Sequence, residues 1–257
     1  MASDLAPPSA FTDTIPGTLI SFNMVPVPPG SVTVRTPDGR KRVWVDAFRM
    51  GRTEVTWEAF DVFVYGLDEE GGGTQAMPGG VDALSRPSEP YMLPGADFGH
   101  SGYPALAMTQ KGAAQYARWL SVATGKKYRL PTRAEWTRAC RAGTQGASNL
   151  GDYAWYAANS EDQTHPVASL DSNALDMYDL RGNVAEYVAA WSTEGDNPPV
   201  VRGGSYRDDA GDVGCTAYKQ QTSAWNASDP QMPKSEWWLA DAPFVGFRLV
   251  HDADSTG

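Results

Sequence analysis

Apolar and polar positions begin to alternate near residue 18. Residues 18–27, TLISFNMVPV, and 31–36, SVTVRT, carry the period of two that marks strands. Pro37-Asp38-Gly39 reads as a turn, and 41–48, KRVWVDAF, as the second arm of a hairpin. The period changes in TEVTWEAFDVFVYG: Thr56 is placed to cap a helix whose Phe60, Phe63 and Val64 share one face, and Gly66 ends it. A second helix starts at Thr109, with Ala113, Tyr116, Ala117 and Leu120 in a stripe and Gly125 as its stop. A third lies in YRLPTRAEWTRACRAGT. There Thr132 and Glu135 stand at capping-box spacing, Trp136, Ala139 and Cys140 point inward, and Gly143 terminates. After residue 145 helical periodicity stops, and only VVRGGSY and VGFRLV read as further strands. Residues 1–17 read as an extended arm, and 67–103, which has no usable period, as a long loop suited to a lid or partner surface.

Composition sharpens this picture. With 26 Gly, 19 Pro, nine Trp and eleven Tyr, the chain predicts a loop-rich fold pinned by large aromatic side chains rather than a helical bundle. Its 257 residues, 41% of them hydrophobic, suffice for one domain with a full core. A formal charge of −10 argues against nucleic acid or an anionic membrane as partner. No run approaches the roughly 18 apolar residues of a membrane span. The start MASDLAPPSAF lacks the basic and apolar regions of a signal peptide. Two cysteines, Cys140 and Cys215, leave two options: inert buried thiols or one disulfide closing a long loop.

Five segments in order, FRMGRTEVT (48–56), YRLPTRAEWTRACRAGT (128–144), LRGNVAEY (180–187), VRGGSY (201–206) and VGFRLV (245–250), resemble the formylglycine-generating enzyme family. That family shares its domain with sulfoxide synthases of ergothioneine synthesis and a pyoverdine-maturation oxidase. The resemblance covers roughly residues 18–250 and implies an α+β fold: a loop-rich variant of the C-type-lectin-like fold with two main helices, twisted antiparallel sheets and bound calcium.

Enzymes of the family oxidise a client cysteine with oxygen, on a copper ion held by two cysteines shortly after the GGSY-type strand. Soft thiolates suit copper(I). Here the first position falls on Asp208 and the second near Asp212 or Val213, so copper is not expected. The resemblance sets Cys215 and Cys140 against a structural disulfide. It places Ser205 at a serine lining the active site, and with Asp208 this is the candidate for any remaining catalysis. It assigns calcium to the side chains of Asp179 and Glu186 and the carbonyls of Gly182 and Val184. A second calcium site would begin at Asn159.

Trp225, Trp237 and Trp238 lie in a long excursion at 207–243 and are candidates to stack on a sugar or grip a peptide, against the plainer reading that they cover the core. The expected function is a calcium-stabilised, extracytoplasmic (periplasmic or secreted) binding or structural module without formylglycine-generating activity, meeting a protein or glycan through loops 67–103 and 207–243. The alternative is a metal-dependent oxidoreductase with a re-purposed site near Asp208.

Overall fold

The computed structural model describes residues 8–36, 39–67, 86–87, 95–142, 149–189 and 198–252. Pro37, Asp38, Gly143 and most of the 67–103 loop lie outside these. The architecture is α+β, with three helices and curled, mostly antiparallel sheets.

Strands β1 (Phe11–Thr14) and β2 (Ser21–Val27) pair antiparallel, so part of the predicted arm is built into the domain. A hairpin follows, of β3 (Gly30–Thr36) and β4 (Gly39–Val45), as the alternation predicts. Next comes β5 (Phe48–Gly51), which pairs with β2. Helix α1 (Trp57–Tyr65) starts at Thr56 and ends at Gly66. Thr56 makes no side-chain cap, and the Trp57 N–H donates to the carbonyl of Tyr103 at 3.0 Å. In α2 (Gln110–Thr124) the Thr109 side chain does cap, accepting the Gly112 N–H.

Strand β6 (Tyr128–Arg129) leads into α3 (Arg133–Ala142). Both bonds of the predicted capping box are present: Glu135 N–H to Thr132 Oγ1 at 3.2 Å, and Thr132 N–H to Glu135 Oε2 at 2.7 Å. The remaining strands are β7 (Ala185–Tyr187), β8 (Val200–Gly203), β9 (Gly214–Gln220), β10 (Val245–Gly246) and β11 (Val250–Asp252). They complete a five-stranded sheet, β1-β2-β5-β11-β6, and a four-stranded one, β10-β7-β8-β9, in which β10 and β7 run parallel.

VGFRLV is therefore two strands, not one. It leaves one sheet at Gly246 and joins the other at Val250, with Arg248 between them. Phe60 and Phe63 of α1, Tyr116 and Trp119 of α2, and Phe247 fill one apolar cluster. Trp136, Ala139 and Cys140 of α3 pack with Val32, Val34 and Val45 of the hairpin in a second.

Candidate functional site

Two acidic regions emerge, and they differ in kind. The first forms around the turn at 178–183, where Asp179 (φ 56°), Gly182 (φ 78°) and Asn183 (φ 52°) are left-handed. Gly182 is obligatory: a Cβ there would lie 2.0 Å from the Trp155 carbonyl oxygen. The turn aims Asn183 inward, fully buried. Its amide donates to Glu54 Oε1 and to the His165 carbonyl, each at 3.2 Å, and its Oδ1 accepts the His165 N–H at 3.0 Å.

The centre holds Arg248, 0% exposed, and three carboxylates: Glu54, Asp179 and Glu186 at 2%, 4% and 1%. Arg248 grips Glu186 with two bonds, Nε to Oε2 at 2.7 Å and Nη2 to Oε1 at 2.5 Å, and the Trp136 indole N–H adds a third to Oε2 at 2.7 Å. The guanidinium also donates to the carbonyls of Gly51 and Tyr178. Asp179 Oδ2 accepts the Ala168 N–H at 2.8 Å. One cation thus faces three buried acids. Burial, then the charge of Asp179, pushes the Glu54 carboxyl well above its usual range. Burial likewise pushes Asp179 up to about 6, against the pull of the Ala168 N–H and Arg248.

The donor atoms here are of the kind calcium takes, although among the described residues no three His, Cys, Asp or Glu side chains gather closely enough to hold a metal. Carboxylate and carbonyl oxygens are what a hard ion takes. The acids outnumber the guanidinium, and Glu54 Oε2 is buried with no hydrogen-bond partner. Glu186 has most of its acceptor capacity filled by three N–H donors, which leaves room on Oε1. Asp179 and Oε1 of Glu186, with the Gly182 and Val184 carbonyls, are the groups that would hold the ion. Asn159, where a second site would begin, instead closes a local turn, accepting the Tyr156 N–H and donating to the Ala154 carbonyl.

The second region follows β8. Gly204 (φ 78°) makes the turn, since a Cβ would meet the Asp212 carbonyl oxygen at 2.6 Å. Ser205 is 0% exposed, and its N–H and hydroxyl both donate to Asp208 Oδ2, at 2.9 and 3.0 Å. The other oxygen of Asp208 is ion-paired with Lys219. Of the two catalytic candidates, the serine thus acts as a donor to Asp208, and an ammonium occupies the other side of the carboxylate. Asp209 and Asp212 are exposed. Among the described residues no three His, Cys, Asp or Glu side chains gather to hold a metal.

A cleft of about 220 Å³ remains at this place, lined by Ala185, Gly204, Asp212, Val213, Tyr218 and Lys219. No thiol reaches it. Cys140 and Cys215 are joined in a disulfide that ties α3 to β9 across 75 residues.

Two of the three tryptophan candidates lie in the core, and Trp225 is partly buried. Trp237 and Trp238 are 8% and 6% exposed and belong to the core, Trp238 edge-on to Phe60. Trp225 stands edge-on to Phe244 at 5.2 Å. The excursion is sewn down by Thr109 N–H to the Trp237 carbonyl and Leu239 N–H to the Ala107 carbonyl.

Sequence reasoning missed Glu54, Arg248 and Lys219. For Arg248 there was a signal: a lone charge inside the apolar run VGFRLV implies a buried partner. Glu54 in RTEVT carried none.

Residues 18–253 match the sulfatase-modifying factor enzyme 1-like domain. The chain belongs to that family. It is 27% identical to the formylglycine-generating enzyme of Mus musculus, covering 74% of this chain and 68% of that protein. For the enzyme of Streptomyces coelicolor the figures are 28% identity, 62% of this chain and 55% of the relative. The chain thus spans only part of the length of these relatives. In fold it is similar to PvdO from Pseudomonas aeruginosa (TM-score 0.67, 21% identity, 97% of this chain and 100% of that one). It is equally similar to Treponema denticola variable protein 1 (TM-score 0.66, 21% identity, 96% and 100%).

Proposed function

We propose that this family member is a binding or structural module that does not make formylglycine. The observation that carries the reading is the disulfide. The chain's two cysteines are bonded to each other, and the position that aligns with a copper thiolate holds Asp208, locked to Ser205 and Lys219. A carboxylate neutralised by an ammonium offers neither the soft donor nor the open coordination position that copper(I) and a client thiol need.

The same disulfide supports an extracytoplasmic site of action, because a bridge between a buried helix and a strand persists in oxidising compartments. Among the described residues no helix is long and apolar enough to cross a membrane. We further propose that calcium at Asp179 and Glu186 stabilises the fold by relieving the excess buried charge. Raising the melting temperature with calcium and lowering it with chelator is the expected result; identical melting in both would remove the ion from the account.

Catalysis is tested with the purified protein, copper(I), oxygen and a CxPxR peptide. The peptide mass is expected to stay unchanged. Conversion of its cysteine to an aldehyde in proportion to protein would overturn the proposal. A re-purposed oxidoreductase site near Asp208 gains no support, since both carboxylate oxygens there already have partners.

A further inference from the structure

The exposed tryptophan of interest is not in the 207–243 excursion but on the β3–β4 hairpin. Trp44 is 55% exposed. Register puts Arg42 opposite Thr33 and Trp44 opposite Ser31, while Val32 and Val34 are buried. Side chains alternate across a strand, so Arg40, Arg42 and Trp44 share the solvent face with Ser31 and Thr33. Lys41 is exposed as well. None of Arg40, Lys41 and Arg42 forms an ion pair among the described residues.

The chain as a whole is acidic, with 31 Asp and Glu against 21 Lys and Arg, yet Arg35, Arg40, Lys41 and Arg42 crowd into eight positions. Cations on an edge strand guard against unwanted strand pairing. That accounts for the arginines and the lysine but not for a large exposed indole beside them. Nor is the indole loose: its N–H is held by Asp46 Oδ1 at 2.9 Å, which fixes the ring on the face before any partner arrives. Among the described residues β3 and β4 pair only with each other, which makes β4 an edge strand.

We propose that the β4 edge, with Arg40, Arg42 and Trp44, docks an extended acidic segment of a partner protein, which adds as a further strand. The segment's backbone pairs with β4, and its same-face side chains, two residues apart, meet Arg40, Arg42 and the indole in turn. Charge selects the partner: in a chain of net charge −10 this face attracts an acidic segment that the remaining surface repels. The inference is independent of whether the cleft beside Lys219 is catalytic.

The probe is a fluorescein-labelled peptide of alternating Glu and Thr, titrated by anisotropy at low and at physiological salt. Binding that weakens with salt is expected, falling roughly tenfold in Arg40→Glu/Arg42→Glu and severalfold in Trp44→Ala, with melting temperatures unchanged because these side chains are exposed. The same peptide N-methylated at every residue keeps its charge but has no N–H donors for β4, and is expected to bind roughly tenfold more weakly. No binding of the parent peptide, equal binding of the charge-reversed variant, or equal binding of the N-methylated peptide would overturn the proposal. So would tighter binding of phosphatidylglycerol vesicles or duplex DNA than of the peptide.

Discussion

The buried centre around Arg248 and the loop after β8 are both acid-rich in sequence, yet they put their carboxylates to opposite uses. At the centre, Glu54, Asp179 and Glu186 are enclosed with one guanidinium, and burial, with the neighbouring carboxylates adding to it, pushes two of the acids upward. In the loop, Asp208 alone turns inward, and there it is fully matched by two donors from Ser205 and the ammonium of Lys219. Asp209 and Asp212 remain in water. The contrast shows that unmatched burial, and not density along the chain, is what leaves a cluster of acids short of counter-charge.

Removing the cation from the centre is the harshest test of this contrast. Arg248→Met leaves three buried carboxylates with no counter-charge, and urea unfolding is expected to show a loss of about 3–5 kcal/mol, or no folded protein at all. A loss no larger than that of a surface substitution would mean the acids are already neutral.

A pH titration sharpens the same point. The folded state raises the Asp179 pKa from 3.8 to about 6, so it holds that proton more tightly than the unfolded chain does. The resulting stability is complete below the unfolded value and is lost as pH rises through about 6. In chelator, wild type should therefore lose stability relative to Asp179→Asn between about pH 4 and about pH 6, by up to roughly 3 kcal/mol. Calcium should shrink that loss, since the ion binds the ionised form. A difference independent of pH would contradict the raised carboxyl.

In the loop the effects are smaller and unequal. Asp208→Ala strands the Ser205 N–H and hydroxyl in a buried place, for an expected cost of about 1–3 kcal/mol. Asp209→Ala and Asp212→Ala should each stay within about 0.5 kcal/mol in the same denaturant assay. Equal effects at all three positions would erase the distinction between the matched acid and the solvated ones.

Local chemistry was legible wherever a residue acts on its own neighbours. The Thr132–Glu135 box, the stops at Gly66 and Gly125, and the β3–β4 hairpin follow from periods and caps of a few residues. Strands β1 and β9 were not legible, because their pairing is decided by partners elsewhere in the chain. The disulfide came from resemblance, not from pattern, since two cysteines alone leave bridge and free thiols open. At the candidate sites, the aspartates and Glu186 were visible, but what neutralises them was not. Arg248 lies 62 residues from Glu186, and Asn183 meets Glu54 across 129. Trp237 and Trp238 misled for the converse reason: an aromatic run in a long excursion looks like a surface until the core beneath it is known.

The proposed absence of a copper site in the loop after β8 is tested most directly by copper itself. The oxidised protein, with its bridge intact, is titrated anaerobically against a colorimetric copper(I) chelator. The account predicts that the folded protein withdraws no copper from the chelator, because no thiolate is exposed and Lys219 fills the free side of Asp208. Withdrawal of about one equivalent of copper(I) by the folded protein, abolished in Asp208→Ala, would contradict it.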